Sequence, residues 1–207
     1  MNDIVVISYD DEILGQYFKK CRNDLENFIQ LHSELSPDIH CMHNNCNQTN
    51  VLDHIKSLND NYCVIVYAHG SEESIKDQHG SILIHKDDAS NFHDAVFYST
   101  ACNNAESLGI EVIRYGCKLF FGYEKVSYGI EDGSHPIHDT FFVESDNFAI
   151  KEILNGCNNG KQLYDKTYDF IYSCCLKLEE IDDALVPFLF HNLESFKIIE
   201  YPNKEYY

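Results

Sequence analysis

The sequence predicts an α/β fold: a doubly wound, mainly parallel sheet flanked by helices, with a helical C-terminal extension packed on the same core. Three observations carry that expectation. IVVISY (4–9), YCVIVYA (62–68), DAVFYSTA (94–101) and CKLFFGY (117–123) are apolar almost throughout. Such runs have no solvent face, so they belong to strands covered on both sides, as in parallel sheets. Segments with apolar residues at helical spacing separate them, and strand–helix alternation with right-handed crossovers winds a sheet in both directions. Beyond Gly129 the strand-like runs stop, and the remainder reads as helical.

Taken in order, IVVISY is the first strand. MNDIVVISYDDE lacks basic residues ahead of its apolar run and is therefore not read as an export signal. The helix that comes next, over 10–35, places Ile13, Leu14, Tyr17, Phe18, Cys21, Leu25, Phe28 and Ile29 at helical intervals. A short strand is expected around Ile39–Met42, then a helix near Val51–Leu58 capped by Thr49 or Asn50. The run 62–68 is the next strand, and SILIH (81–85), between a Gly-Ser and a Lys-Asp-Asp, belongs to a hairpin. DAVFYSTA leads into a helix over 103–116 ending at Gly116, and CKLFFGY is the last clear strand. Helices are expected over about 140–155, 160–179 and 182–199. Residues 1–130 then form the core and 131–207 complete the same domain.

Composition narrows the function. The net charge is −19 at pH 7, which argues against nucleic acid and anionic membrane as partners, since both need a positive face. A cationic partner or substrate fits better, although an acidic surface also serves solubility alone. Only Arg22 and Arg114 can offer a guanidinium to an anion. Nine scattered cysteines, an odd number with no export signal, point to reduced thiols in the cytoplasm rather than a disulfide framework. No apolar run approaches the roughly 18 residues that cross a bilayer.

In an open parallel sheet, chemistry collects outside the carboxyl ends of the strands. There, 62–68 runs into His69-Gly70, and 94–101 runs into Cys102, with Asn103-Asn104 next. If the two strands are neighbours, imidazole and thiol project from one rim. A thiolate is the nucleophilic form of cysteine, and a nearby imidazole generates it and later protonates a leaving amine. A helix opening just after Cys102 would favour the thiolate through its dipole. Main-chain N–H groups of Cys102 and Gly70 are placed to hold an oxyanion. Each residue also has a plainer reading: Cys102 as an ordinary buried thiol, His69 as a hydrogen-bonded turn residue.

These residues carry a resemblance. VIVYAHGS and VFYSTACNNA, apolar strands ending in His-Gly and Ala-Cys 33 residues apart with a hairpin between, resemble the caspase-like cysteine peptidases. That group spans caspases, metacaspases, gingipains, clostripain and CHAT proteases, and the short prokaryotic and CHAT members are most similar. GCKLFFGYE and NFAIKEILNGCNNGKQLYDKTYDFI resemble the downstream segments of small bacterial members, so the likeness extends over about 4–175. It implies a caspase-like fold and endopeptidase activity through a His69/Cys102 dyad and a thioester acyl-enzyme. It further implies the amides of Gly70 and Cys102 as oxyanion hole and no metal or organic cofactor. The family's primary specificity pocket maps onto 9–11, 99–101 and 121–124, nominating Asp10, Asp11, Ser99, Thr100 and Glu124. An acid among Asp10, Asp11 and Glu124 would favour cleavage after Lys or Arg; no arginine lies there to hold an aspartate. The kinship suggests an effector of bacterial defence or regulated cell death, acting on protein or peptide, activated by a partner protein or self-cleavage. The rival reading is a catalytically silent caspase-like scaffold that binds a partner protein.

Two further motifs invite other readings. HCMHNNC (40–46) gathers Cys41, His43 and Cys46 beside His40, but structural zinc sites usually draw ligand pairs from two places in the chain. Only His135-x-x-His138 offers a second pair, and no metal is expected. ISYDDE resembles the start of TIR domains and of phosphorylated receivers. A receiver needs an aspartate where this chain has Ala68-His69, and a TIR-like NAD hydrolase needs a glutamate that the sequence does not place.

Overall fold

Alternation along a strand sends successive side chains to opposite faces, and here both faces are apolar. In the computed structural model, which describes residues 3–9, 14–32, 38–42, 46–58, 61–130, 136–201 and 205–206, those runs form the centre of a seven-stranded sheet. The strands are β1 (Asp3–Ser8), β2 (Asp38–Met42), β3 (Tyr62–Tyr67), β7 (Val96–Ser99), β8 (Leu119–Tyr123), β9 (Phe196–Glu200) and β10 (Glu205–Tyr206). A separate three-stranded antiparallel sheet comprises β4 (His69–Ser71), β5 (Ser74–Lys76) and β6 (Ile82–His85). The order across the large sheet is β10-β9-β8-β7-β3-β1-β2. Strands β2, β1, β3, β7 and β8 run parallel, and β9 and β10 are antiparallel to their neighbours.

The two faces bury different helices. Ile4 and Val6 of β1, Cys63, Ile65 and Tyr67 of β3, Tyr98 of β7, and Phe121 and Tyr123 of β8 lie in one cluster. The same cluster holds residues of α1 (Gly15–Leu31), α4 (Pro136–Leu154), α5 (Gly160–Glu179) and α6 (Val186–Ser195). The alternate residues, Val5, Ile7, Val64, Val66, Phe97 and Phe120, pack on α2 (Gln48–Ser57), α3 (Leu108–Arg114) and the small sheet. Burying whole side chains on both sides is the dominant favourable term, at about 1.5–3 kcal/mol for each. The mainly parallel sheet flanked by helices is therefore the expected fold class. Among the described residues, no helix is long and apolar enough to cross a membrane.

Four expectations are corrected. Helix α2 is capped two or three residues earlier than predicted, by Asn47, whose Oδ1 accepts from the Asn50 amide at 3.0 Å. No helix opens at Asn103-Asn104; turns occupy 102–107 and α3 begins at Leu108. Asn103 sits at φ 58°, and the Asn104 side chain is fully buried, donating to Ser99 Oγ at 2.6 Å and accepting from the Tyr123 amide at 3.2 Å. An asparagine in the left-handed region and one bonded sideways into the sheet both interrupt helical propagation. The helix predicted over 182–199 ends at Ser195, and FKIIE becomes β9, pairing with the edge of β8. CKLFFGY is therefore not the last strand. The β-branched pair of β9, Ile198 and Ile199, faces opposite sides, each packed in a different cluster.

Candidate active site

Strands β3 and β7 are parallel neighbours, registered Val64 to Phe97 and Val66 to Ser99. The Thr100 amide extends the ladder one step further, donating to Val66 O at 3.1 Å. Both chains then leave the same end of the sheet. His69 and Cys102 are half-buried there and line one narrow pocket of about 20 Å³. The imidazole packs edge-on against Phe18 of α1, centroids 5.6 Å apart at 74°.

Gly70 explains why glycine comes directly after the histidine. A Cβ built there would lie 2.6 Å from the Cys102 carbonyl oxygen, 2.7 Å from Ala101 Cβ and 3.0 Å from the Cys102 nitrogen. Only a residue without a side chain lets the two rim turns touch backbone to backbone. The amides of Gly70 and Cys102 thus lie in one neighbourhood, as an oxyanion hole requires. The helix-dipole contribution expected at Cys102 is lost, because α3 starts six residues later and is only seven residues long.

The sulfur has a partner that sequence reasoning missed. The Ser127 amide donates to Cys102 Sγ at 3.3 Å, and Ser127 Oγ lies 3.6 Å from the same atom while donating to Thr100 O at 2.7 Å. Next to it, the Asn192 side chain of α6 accepts from the Tyr128 amide and donates to the Tyr128 carbonyl, both at 2.8 Å. That double bond pattern mimics a strand partner and fixes an otherwise irregular loop over the pocket. Nothing periodic marks the loop, so only its position just after the strand 117–123 could have drawn attention to it.

The other nominated residues separate. Thr100 lines the pocket. Ser99 is fully buried, its hydroxyl accepting from the Ala101 amide at 3.2 Å and from Asn104, so it braces the turn instead of facing substrate. Glu124 pairs with Lys197 at 3.5 Å, away from the pocket lining. Asp10 and Asp11 lie outside the described residues, as do the side chains of 40–45 and His135. Among the described residues no three His, Cys, Asp or Glu side chains converge as a metal site.

The pocket carries a different acid. Asp146 of α4 lines it while only 3% exposed. Its Oδ2 accepts from Tyr17 and its Oδ1 from Tyr123, each at 2.7 Å, and Tyr98 donates to its carbonyl oxygen. Burial pushes the carboxyl up to about 6, with the Tyr17 and Tyr123 hydroxyls pulling the other way. The sequence held a signal for it. Asp146 falls three and four residues from Val143, Phe142, Ala149 and Ile150, on the apolar face of a helix where a carboxylate needs a reason.

Burial raises Cys46 and Cys175 to about 11 and Cys117 to about 12, and lifts Cys21, Cys63 and Cys174 as well. Among the described cysteines only Cys102 and Cys157 are half-exposed. Beside Cys102, an open cleft of about 460 Å³ runs from Asn103 along the small sheet past Ser71, Ser74 and His85.

No protein-family model matches this chain, and neither does any curated protein. Among solved structures it matches a crystal structure of the Arg-specific cysteine proteinase gingipain R, with a TM-score of 0.59 at 10% identity. The match covers 98% of this chain and 46% of that one, so the chain spans less than half of its structural neighbour. The likeness supports the caspase-like architecture, at an identity that speaks for fold alone.

Proposed function

We propose that this protein is a cysteine endopeptidase that cleaves after a basic residue. The observation that carries the reading is that His69 and Cys102 line the same pocket beyond the ends of adjacent parallel strands. The caspase-like architecture shared with a cysteine proteinase agrees with it.

In the proposed mechanism the Cys102 thiolate attacks the scissile carbonyl carbon, and the C=O pair moves onto oxygen, facing the amides of Gly70 and Cys102. Collapse of that intermediate breaks the C–N bond, His69 delivering its proton to the departing amine. The thioester left on sulfur is hydrolysed by water, with His69 now accepting the proton, and the thiol is regenerated. Ser127 N–H helps hold the thiolate, since a donor to the charged form favours it.

The preference for a basic residue draws on the net charge of −19, which concentrates cationic peptides around the molecule, and on the neighbour's description as Arg-specific. The open cleft beside Asn103 is the path for substrate beyond the scissile bond. Cytoplasmic action in bacterial defence or regulated death, switched on by a partner or by self-cleavage, belongs to the proposal on kinship alone.

A fluorogenic peptide panel with Lys, Arg, Leu or Asp before the scissile bond, run on wild type and on Cys102→Ala, tests the reading. Hydrolysis of the Lys and Arg peptides that the substitution abolishes supports it. Hydrolysis surviving in Cys102→Ala rejects the assignment, and silence from wild type favours the scaffold reading.

A further inference from the structure

We propose that Lys76 is a specificity residue on the leaving-group side: its ammonium receives a substrate carboxylate that follows the scissile bond. The role rests on the peptidase reading and gives that site a second requirement, an acid after the cut beside the base before it.

Register comes first. His69 of β4 lies directly across from Lys76 of β5, so the two side chains leave one face of the small sheet as cross-strand neighbours. Alternation puts Ser71 and Ser74 on that face as well, and Ile82 and His85 continue it on β6. The opposite face, with Ile75 and Ile84, is fully buried, and Gly70 backs onto Cys102. The polar face is the floor of the open cleft of about 460 Å³ that starts at Asn103. A general acid must touch the amine it protonates, so the departing half of the substrate lies against His69. From there it runs over the neighbours of the imidazole on that face. In the cross-strand row His69–Lys76–Ile82, Lys76 is the permanent charge.

Charge comes second. Five other half-buried lysines each hold an acid: Lys20 Asp139, Lys86 Glu73, Lys118 Asp94, Lys151 Asp24 and Lys197 Glu124. Lys76 is half-buried too, yet it forms no ion pair among the described residues, in a chain with 34 acidic residues. Within the cleft, Glu73 is taken by Lys86 and faces His85, and Glu72 is exposed at the hairpin tip. Partial desolvation of an ammonium has a cost that a carboxylate offsets, and the cleft is the route by which one arrives. The acidic surface repels carboxylates elsewhere along a substrate, which confines the acid to this position.

Two internally quenched peptides make the test. They share a lysine before the scissile bond and an amidated C-terminus, and differ only in glutamate or glutamine directly after that bond. Wild type prefers the glutamate peptide, and Lys76→Met lowers the ratio of the two kcat/KM values about tenfold, between the scales of an exposed and a buried ion pair. Lys76→Arg keeps the preference. Any effect of the lost charge on His69 acts on both peptides alike and cancels in the ratio. A second pair ends one residue after the scissile bond, with a free or an amidated terminus. Preference for glutamate marks a side-chain acid as the source, and preference for the free terminus a chain-end acid; either, lost in Lys76→Met, supports the assignment. An unchanged ratio in Lys76→Met, or no preference for either acid in wild type, overturns it. Failure of the peptidase reading shows separately, as silence of wild type on every peptide. In that case the peptides are titrated calorimetrically onto Cys102→Ala, with and without Lys76→Met. Acid-selective binding that Lys76→Met abolishes supports the role, and equal binding overturns it.

Discussion

The main-chain N–H of Ser127 points at the sulfur of Cys102 from 3.3 Å, across 25 residues of chain. A loop with no secondary structure of its own thus sets the environment of the one atom on which the proposed chemistry depends. The loop keeps that position through Ser127 Oγ on Thr100 O and through the Asn192 clamp on Tyr128.

Thiol reactivity should track exposure. In native protein, iodoacetamide should modify Cys102 well before Cys21, Cys63 and Cys117, which are fully buried with raised thiol pKa values. Peptide mapping by mass spectrometry reads the order. Faster labelling of Cys63 or Cys117 would mean that the sheet opens under native conditions.

Asn192→Ala should lower kcat/KM about tenfold or more while costing the fold only about 1–3 kcal/mol, the scale of leaving two main-chain groups unpaired. Asn192→Asp, which still accepts from the Tyr128 amide but cannot donate to its carbonyl, should fall between. Steady-state kinetics beside urea unfolding separate positioning from stability. Equal losses of stability without any loss of rate would remove the loop from the mechanism.

Gly70→Ala should destabilise the protein by about 1–3 kcal/mol, as overpacking does, and should displace the Cys102 backbone. Activity should fall by more than stability accounts for at working temperature. Gly80→Ala is the control for backbone effects alone: at φ +83° it is strained, yet nothing lies within 4 Å of its Cβ position. It should leave peptide hydrolysis at the wild-type rate.

The buried carboxylate also sets a pH dependence. The Asp146 pKa is raised from 3.8 to about 6 in the folded state, so the neutral form is favoured there. The associated stability is fully present below pH 3.8 and is lost as pH rises through 6, a difference of roughly 3 kcal/mol. Around Asp146, Tyr17 and Cys21 from α1, Tyr67 from β3, Tyr98 from β7 and Tyr123 from β8 all have raised pKa values and stay neutral across that window, and the His69 imidazole lines the same pocket. Relative to wild type, Asp146→Asn should therefore gain stability between about pH 4.5 and about pH 7.5. Paired urea titrations at those two values measure the gain, and a constant difference would mean that Asp146 does not titrate as described.

How far the sequence could be read depended on how local each cause was. Strands β1, β3, β7 and β8 were legible because a run apolar at every position admits few other states. His69-Gly70 and Cys102 were legible as strand-end residues, a position that a parallel sheet makes chemically meaningful. What escaped depended on distant partners. FKIIE looks like a helix tail until β8 offers an unpaired edge. The 103–116 segment has helical spacing, yet Asn104 is held by Ser99 and Tyr123. Asp146 acquires its meaning from tyrosines in three separate stretches, Tyr17, Tyr98 and Tyr123, and Ser127 from a sulfur it meets only in the folded chain.

The pairing of β3 with β7 has a consequence for synthesis of the protein. On the ribosome, His69 emerges first, and Cys102 stays an isolated thiol until the strand before it docks at the middle of the sheet. The loop bearing Ser127 and the helix bearing Asp146 emerge later still, and Asn192 after both. On the proposed peptidase reading, a nascent chain therefore carries no competent nucleophile to turn on itself or its neighbours, because latency during translation is written into the order in which the pieces appear.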